Sequence, residues 1–363
     1  MIHTIIIGLI AISLAYLNKY KNFKYGLEFA FIILTIFLAI RFDWGNDYSN
    51  YLSSFINIKN NDYSAFDINF LKENDHEIGW IFLNKIFSPF GFFGLVIFLT
   101  IIENYILYRL IKKYVNKKWQ WLSVFIYVFS PIFMLTCSSM MRQFLSICIY
   151  LISIRYIIEK KFLFFLLLNL LAFLFHKSAI ILLPTYFITY LNNQIKHTNL
   201  LMIIYVVWYF FAAELVYIPL NSILSIESFE KYNYYIVSGS KAEIGTGLAV
   251  LFSYLLFFLI LKKSKNLPAN LSIISFLYLI SLFITPLTTY GLIIGRLSIY
   301  FIFFIIVILP NIIPLIKNEL LKYFVLIVYI AIQLKEFISF FYSDIWYLKF
   351  FYYKTIFSSQ YWL

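Results

Sequence analysis

Long apolar runs recur along this chain from one end to the other, and they leave few folds open. A continuous apolar stretch approaching the ~20 residues that cross a bilayer reads as a membrane-spanning helix. Candidate spans fall at roughly residues 3–17, 25–41, 91–108, 119–136, 143–158, 162–175, 178–191, 200–217, 248–261, 270–288, 292–309 and 320–340. The pattern predicts an all-α polytopic integral membrane protein with about 12 transmembrane helices. It reads as one transmembrane domain over residues 1–363, with two larger outer loops at about 42–90 and 218–247. Only 13% of residues are charged and 63% are hydrophobic, against about 25% charged in a soluble domain. That excludes a water-soluble globule and leaves no room for an appended soluble catalytic module. Ile5 to Leu17 has no basic stretch before it, so it is expected to persist as the first span rather than be cleaved as a signal peptide.

Charge placement orients the spans. One set of alternate loops carries Lys19, Lys21 and Lys24; Arg109, Lys112, Lys113, Lys117 and Lys118; Arg155, Lys160 and Lys161; Lys196; Lys262, Lys263 and Lys265; and Lys317 and Lys322. Their acidic company is Glu159 and Glu319 alone, so the positive-inside rule makes these loops cytoplasmic. The opposite loops are longer and more acidic, with Asp43, Asp47, Asp62, Asp67, Glu73, Asp75 and Glu77 in the first. The net charge of +12 is therefore a topology signal and not a nucleic-acid footprint. Both termini are predicted outside. Ile78 to Phe90 is apolar but short, and Pro89-Phe90-Gly91 breaks it, so it is expected to lie as a re-entrant or interfacial helix.

No CxxC, HExxH, P-loop or GxGxxG pattern occurs, so neither a metal nor a cofactor is expected. Cys137 and Cys148 are the only cysteines; on one helix they would lie roughly 16 Å apart, too far for a disulfide. They read as packing residues.

The polar residues that remain collect on the predicted outer side. Arg41-Phe-Asp43-Trp-Gly-Asn-Asp47-Tyr48-Ser-Asn-Tyr51 opens directly from an apolar run. Met141-Arg142-Gln143 falls between spans four and five, His176-Lys177-Ser178 between six and seven, and Gly295-Arg296 near the outer end of span eleven. Tyr352-Tyr353-Lys354 lies in the tail. A charge near bilayer depth costs about 2.5–3.5 kcal/mol on insertion scales, so each cation calls for a partner or a function. Each also has a plainer reading. Boundary arginines snorkel to headgroups, Asp43 or Asp47 pairs with Arg41 to fix the loop, and Glu77 caps the helix that follows it. Tyrosines at such positions form an ordinary interfacial belt. Functionally, arginines would clamp a diphosphate and stabilise the charge that builds as it leaves. His176, beside a lysine that disfavours imidazolium, suits the removal of a proton from a sugar hydroxyl.

The ordered set of RFDWGNDYSNY from Arg41, EIGW from Glu77, MRQ at Arg142, HKSA from His176, GRLSIYF from Gly295 and YKTI near the end resembles the EpsG/Wzy-type polymerases. These make O-antigen or exopolysaccharide from repeat units in bacterial envelopes. The resemblance runs from about residue 25 to 358. It implies glycosyl transfer at the outer, periplasmic face of the bacterial inner membrane. A glycan growing on undecaprenyl diphosphate would be the donor, and a lipid-linked repeat unit the acceptor. His176 is then the expected base, with Arg142 and Arg296 on the donor diphosphate. Arg41 either holds a second diphosphate or orients the outer loop. Asp43, Asp47, Tyr48, Tyr51, Glu77, Gln143, Lys177, Tyr300, Tyr353 and Lys354 are the expected substrate-binding residues, with Glu77 or Asp47 as alternative bases. No metal is required, because arginines supply the charge. Expected partners are the lipid-linked glycans, membrane lipid and a chain-length regulator, with no nucleic acid.

Two other readings share the composition. An O-antigen ligase would use the same donor with lipid A core as acceptor. A lipid-linked oligosaccharide flippase would need charges through the depth of a cavity and ideally an internal repeat, and the chain shows neither.

Overall fold

The computed structural model of the chain describes residues 1–60, 77–187, 199–209, 211, 248–262, 267–290 and 292–358. The chain divides into two compact units, one of Met1–Leu183 with Ile330–Leu363, the other of Pro184–Tyr329.

The first unit contains helices α1 (Ile2–Leu17), α2 (Gly26–Ala39), α3 (Tyr48–Asn60), α4 (Ile78–Phe87), α5 (Gly91–Tyr114) and α6 (Gln120–Phe129). A π-helical segment, Ile132–Cys137, then leads to α7 (Met141–Ile158) and α8 (Phe162–Phe175). A 3-10 stretch, Lys177–Phe187, follows. The second unit contains α9 (Asn199–Tyr209), α10 (Leu248–Leu261), α11 (Ala269–Ile284), α12 (Leu292–Ile302) and α13 (Ile305–Ile312). Helix α14 (Glu319–Tyr342) carries the chain back into the first unit, where the short α15 (Tyr347–Phe350) follows.

Among the described residues, five helical stretches are long and apolar enough to cross a bilayer: Lys21–Ala39, Ile78–Tyr114, Met141–Ile158, Ala269–Leu287 and Glu319–Tyr342. The pair Gly295–Ile302 and Ile305–Leu315, bent by 48°, adds a sixth if it forms one span. The chain is thus an all-α membrane protein, but the described helices do not by themselves supply the twelve spans expected. Ile2–Leu17, Phe162–Phe175 and Asn199–Tyr209 are apolar and short. At 1.5 Å per residue, sixteen residues reach about 24 Å, less than the hydrocarbon thickness.

Of the two outer loops, the described parts of the first are helical (α3 and α4), while residues 61–76 and the whole of 218–247 lie outside the described residues. The expected break at Pro89 is present. Helix α4 ends at Phe87, a 3-10 turn covers Ser88–Phe90, and α5 starts at Gly91. The expected span 119–136 breaks as well. Pro131 has no N–H, so the helical ladder stops at Ser130, and Thr136 N–H donates instead to the Pro131 carbonyl at 2.9 Å. The wider turn that results is the π segment.

Several polar groups inside the first unit are paired across helices, which a low-dielectric interior favours. Asn18 Nδ2 donates to Gln120 Oε1 at 2.7 Å, joining α1 to α6. Tyr127 Oη donates to Asn104 Oδ1 at 3.0 Å, joining α6 to α5. Ser146 Oγ donates to the Ala172 carbonyl at 3.1 Å, joining α7 to α8. With its amide turned so that Nδ2 faces the Ala179 carbonyl and Oδ1 the Leu183 N–H, Asn169 ties α8 to the stretch after it. Helix α4 meets α8 at Gly79, where a Cβ would lie 2.7 Å from the Leu174 carbonyl oxygen. Only a residue without a side chain permits that approach. Cys137 and Cys148 are buried and unbridged.

Candidate functional site

Glu77 directly precedes α4, and the contact at Gly79 sets it beside the end of α8. Its carboxylate leaves the α4 N–H groups alone; the main-chain carbonyl of Glu77 accepts from Trp80 and Ile81 instead. The side chain reaches across the unit. Oε2 pairs with Arg142 Nη1 at 2.5 Å, and Oε1 accepts from the Lys177 N–H at 3.3 Å. One carboxylate therefore gathers the first turn of α7 and the residue after His176. Arg142 also sits over the ring of Tyr51, its guanidinium carbon 5.8 Å from the centroid. Tyr51 in turn packs edge-on against Trp80 at 5.3 Å. Burial pushes the Tyr51 phenol up, and the neighbouring Arg142 opposes that shift. Arg142 keeps 24% of its side chain exposed.

His176 ends α8 in an extended conformation, φ −154° and ψ 118°, with its N–H donating to the Ala172 carbonyl at 3.0 Å. Its ring Nδ1 lies 2.6 Å from Ser178 Oγ. The His176 carbonyl accepts from Ala179 N–H at 3.0 Å, which starts the 3-10 stretch. The imidazole is half-buried and Lys177 is exposed, whereas Gln143, one residue past Arg142, is buried. The structure thus brings Arg142, Glu77, Tyr51 and the His176–Lys177 segment together from α3, α4, α7 and the end of α8.

The Arg41 cluster forms a second assembly in the same unit. Arg41 is buried, with 1% exposure. Nη1 donates to the Leu38 carbonyl at 2.5 Å and to Thr100 Oγ1 at 2.9 Å, and Nη2 donates to the Ser138 carbonyl at 3.1 Å. Glu103, the nearest acid that Arg41 senses, is buried on α5 one turn beyond Thr100. The tail folds back onto this loop. Arg41 and Thr355 form an antiparallel bridge, Phe42 N–H donates to the Lys354 carbonyl at 3.0 Å, and Ile356 N–H donates to the Ile40 carbonyl at 3.1 Å. Trp44 Nε1 donates to the Phe350 carbonyl at 3.0 Å. Tyr353 stacks on Phe37 at 4.3 Å and donates its hydroxyl to the Phe37 carbonyl. Burial pushes its phenol up, and it pushes the packed Tyr48 phenol up to about 12 against the pull of Arg41.

Asp43, at φ +43°, pairs with Lys354 at 3.6 Å and Lys349 at 3.7 Å. Asp47 receives an anchor through its own N–H, which donates to Ser139 Oγ at 3.0 Å. Gly45, at φ +122°, runs so close to Ser139 that a Cβ would meet its Cβ and Oγ at 3.1 Å. Arg296 and Tyr300 belong to α12 in the second unit, the arginine exposed and the tyrosine buried.

Sequence reasoning missed Glu103, Thr100 and the Ser138 carbonyl. Glu103 had a signal, as an acid isolated within a strongly apolar run; the backbone carbonyl had none. Among the described residues no group of three His, Cys, Asp or Glu side chains converges.

The chain matches the EpsG family over residues 24–355, nearly its whole length. No curated protein and no solved structure matches it. The chain belongs to the EpsG family, which makes it a polysaccharide-polymerase type of membrane protein.

Proposed function

We propose that this EpsG-family protein joins lipid-linked oligosaccharide repeat units by glycosyl transfer at the outer face of a bacterial inner membrane. The observation that carries the reading is Glu77, which holds the Arg142 guanidinium and the Lys177 N–H on one carboxylate. The carboxylate thereby ties the first turn of α7, which carries Arg142, to the residue after His176.

In this reaction a hydroxyl of the acceptor repeat unit attacks the anomeric carbon of the growing glycan. The bond from that carbon to the diphosphate oxygen breaks, and undecaprenyl diphosphate leaves with the electron pair. Arg142 stabilises the charge that develops on the diphosphate, which a partly exposed guanidinium does best with planar, two-point contacts. His176 takes the hydroxyl proton. With Ser178 on Nδ1, the accepting nitrogen is Nε2, provided that Nδ1 carries the ring proton and Ser178 accepts it. Glu77, committed to Arg142, positions rather than deprotonates. Arg41 orients the loop, because its Nη groups are taken by Leu38, Thr100 and Ser138. Arg296 and Tyr300 are assigned to diphosphate and glycan respectively on their motif alone.

The test is His176→Ala in a strain lacking the chromosomal copy. Removing a general base lowers turnover by about 10²–10⁴-fold, so the variant should insert normally yet leave only single repeat units on the surface acceptor. A normal chain-length distribution would remove His176 from the chemistry. Accumulation of free lipid-linked polymer in the deletion strain itself would point to a ligase instead.

A further inference from the structure

Helix α14 carries a polar group that the proposed chemistry does not use. Its core face is Phe337, Phe340 and Phe341, all buried. Glu336 lies on the flank beside this face and is exposed, within a stretch apolar enough to span a bilayer. It stands six residues before the end of the helix, about 9 Å along the axis. A carboxylate facing acyl chains is unfavourable, and an ionisable residue at such a position is a functional candidate by default.

The side chain is also held. Gln333, one turn earlier, donates Nε2 to Glu336 Oε2 at 3.4 Å, and Gln333 Oε1 accepts from Ser130 Oγ. Ser130 stands at the break before Pro131. The irregular segment it opens supplies Ser138 to Arg41 and Ser139 to Asp47, and leads directly into Arg142. One stretch of non-α backbone thus fixes Glu336 at its start and Arg142 at its exit.

We infer that Glu336 and Gln333 form a glycan subsite, separate from the Arg142–His176 site, that binds hydroxyl groups of the repeat unit. A carboxylate oxygen and a carboxamide one turn apart offer acceptors and a donor to neighbouring sugar hydroxyls. The inference rests on the polymerase reading for the identity of its ligand.

The test measures binding of the repeat-unit oligosaccharide, released by mild acid from the strain's own lipid-linked pool, to detergent-purified protein. Glu336→Gln should weaken binding at least fivefold and shorten the surface glycan, and Gln333→Leu should do the same. Glu336→Asp, which keeps the charge on a shorter arm, should fall between them and the unmodified protein. Lys117→Gln, an exposed change on the side expected to be cytoplasmic, should bind as the unmodified protein does. Equal binding by Glu336→Gln and the unmodified protein overturns the subsite. So does efficient disulfide formation between copies of Glu336→Cys in membranes, which would give this face to a second copy. Normal glycan in His176→Ala would instead overturn the proposed reaction, leaving the binding measurement to judge the subsite.

Discussion

Glu77 and Arg142, sixty-five residues apart in sequence, form an ion pair at 2.5 Å in which the carboxylate is nearly buried and the guanidinium is partly open. The second carboxylate oxygen takes the Lys177 N–H, so the pair is also the tie between α4, α7 and the end of α8.

Glu77→Ala should cut both ties at once. A hydrogen bond to a charged group is worth about 1.5–3 kcal/mol, so thermal unfolding in detergent should show a loss of that order. Polymer length should fall with it, and Glu77→Asp should recover part of both. Unchanged glycan in Glu77→Ala would mean that Arg142 needs no fixing.

Gly79→Ala tests the approach that places Glu77. The added Cβ would lie 2.7 Å from the Leu174 carbonyl oxygen, a backbone atom unable to swing aside. Overpacking of this kind costs about 1–3 kcal/mol. A lowered unfolding midpoint together with shortened glycan is expected; wild-type behaviour in both would show that α4 and α8 have slack.

Arg41→Ala should be the most damaging of these changes, because it leaves the Leu38 and Ser138 carbonyls and the Thr100 hydroxyl without their buried donor. A buried acceptor left unsatisfied costs about 1–3 kcal/mol. Adding Glu103→Gln should return part of the loss, and a double-mutant cycle on membrane-inserted protein reads the coupling. Strict additivity would show that the two groups do not sense each other.

Asp43→Asn offers the contrast. Its ion pairs with Lys349 and Lys354 are long and partly exposed, and such pairs contribute about 0–1 kcal/mol. Asparagine also tolerates the positive φ of this position. Stability and chain length should both stay close to normal, while Asp43→Val, which resists that backbone, should lower the unfolding midpoint.

Much of this protein is legible locally. An apolar run tends to become a helix because helix satisfies its backbone hydrogen bonds in lipid, so α2, α7 and α11 lie where the hydrophobic pattern places them. The expected spans 119–136 and 178–191, by contrast, do not form single α-helices. Pro89 breaks the chain as expected, whereas the stop at Pro131 falls inside the single span expected over 119–136; His176 and Arg142 stand out because a polar group beside an apolar run needs an explanation.

What local pattern cannot supply is the partner. Arg41, at the end of α2, could have snorkelled to headgroups; the packing of α5 and the π segment buried it against Thr100 and the Ser138 carbonyl instead. Glu77 could have capped its own helix, and only the closeness of α4 to α8 turned it toward Arg142 and Lys177. The sequence by itself determined an all-α membrane chain and its EpsG kinship. The tertiary structure decided which charge meets which. Such pairings depend on distances between residues far apart along the chain, and those distances exist only once the helices have packed.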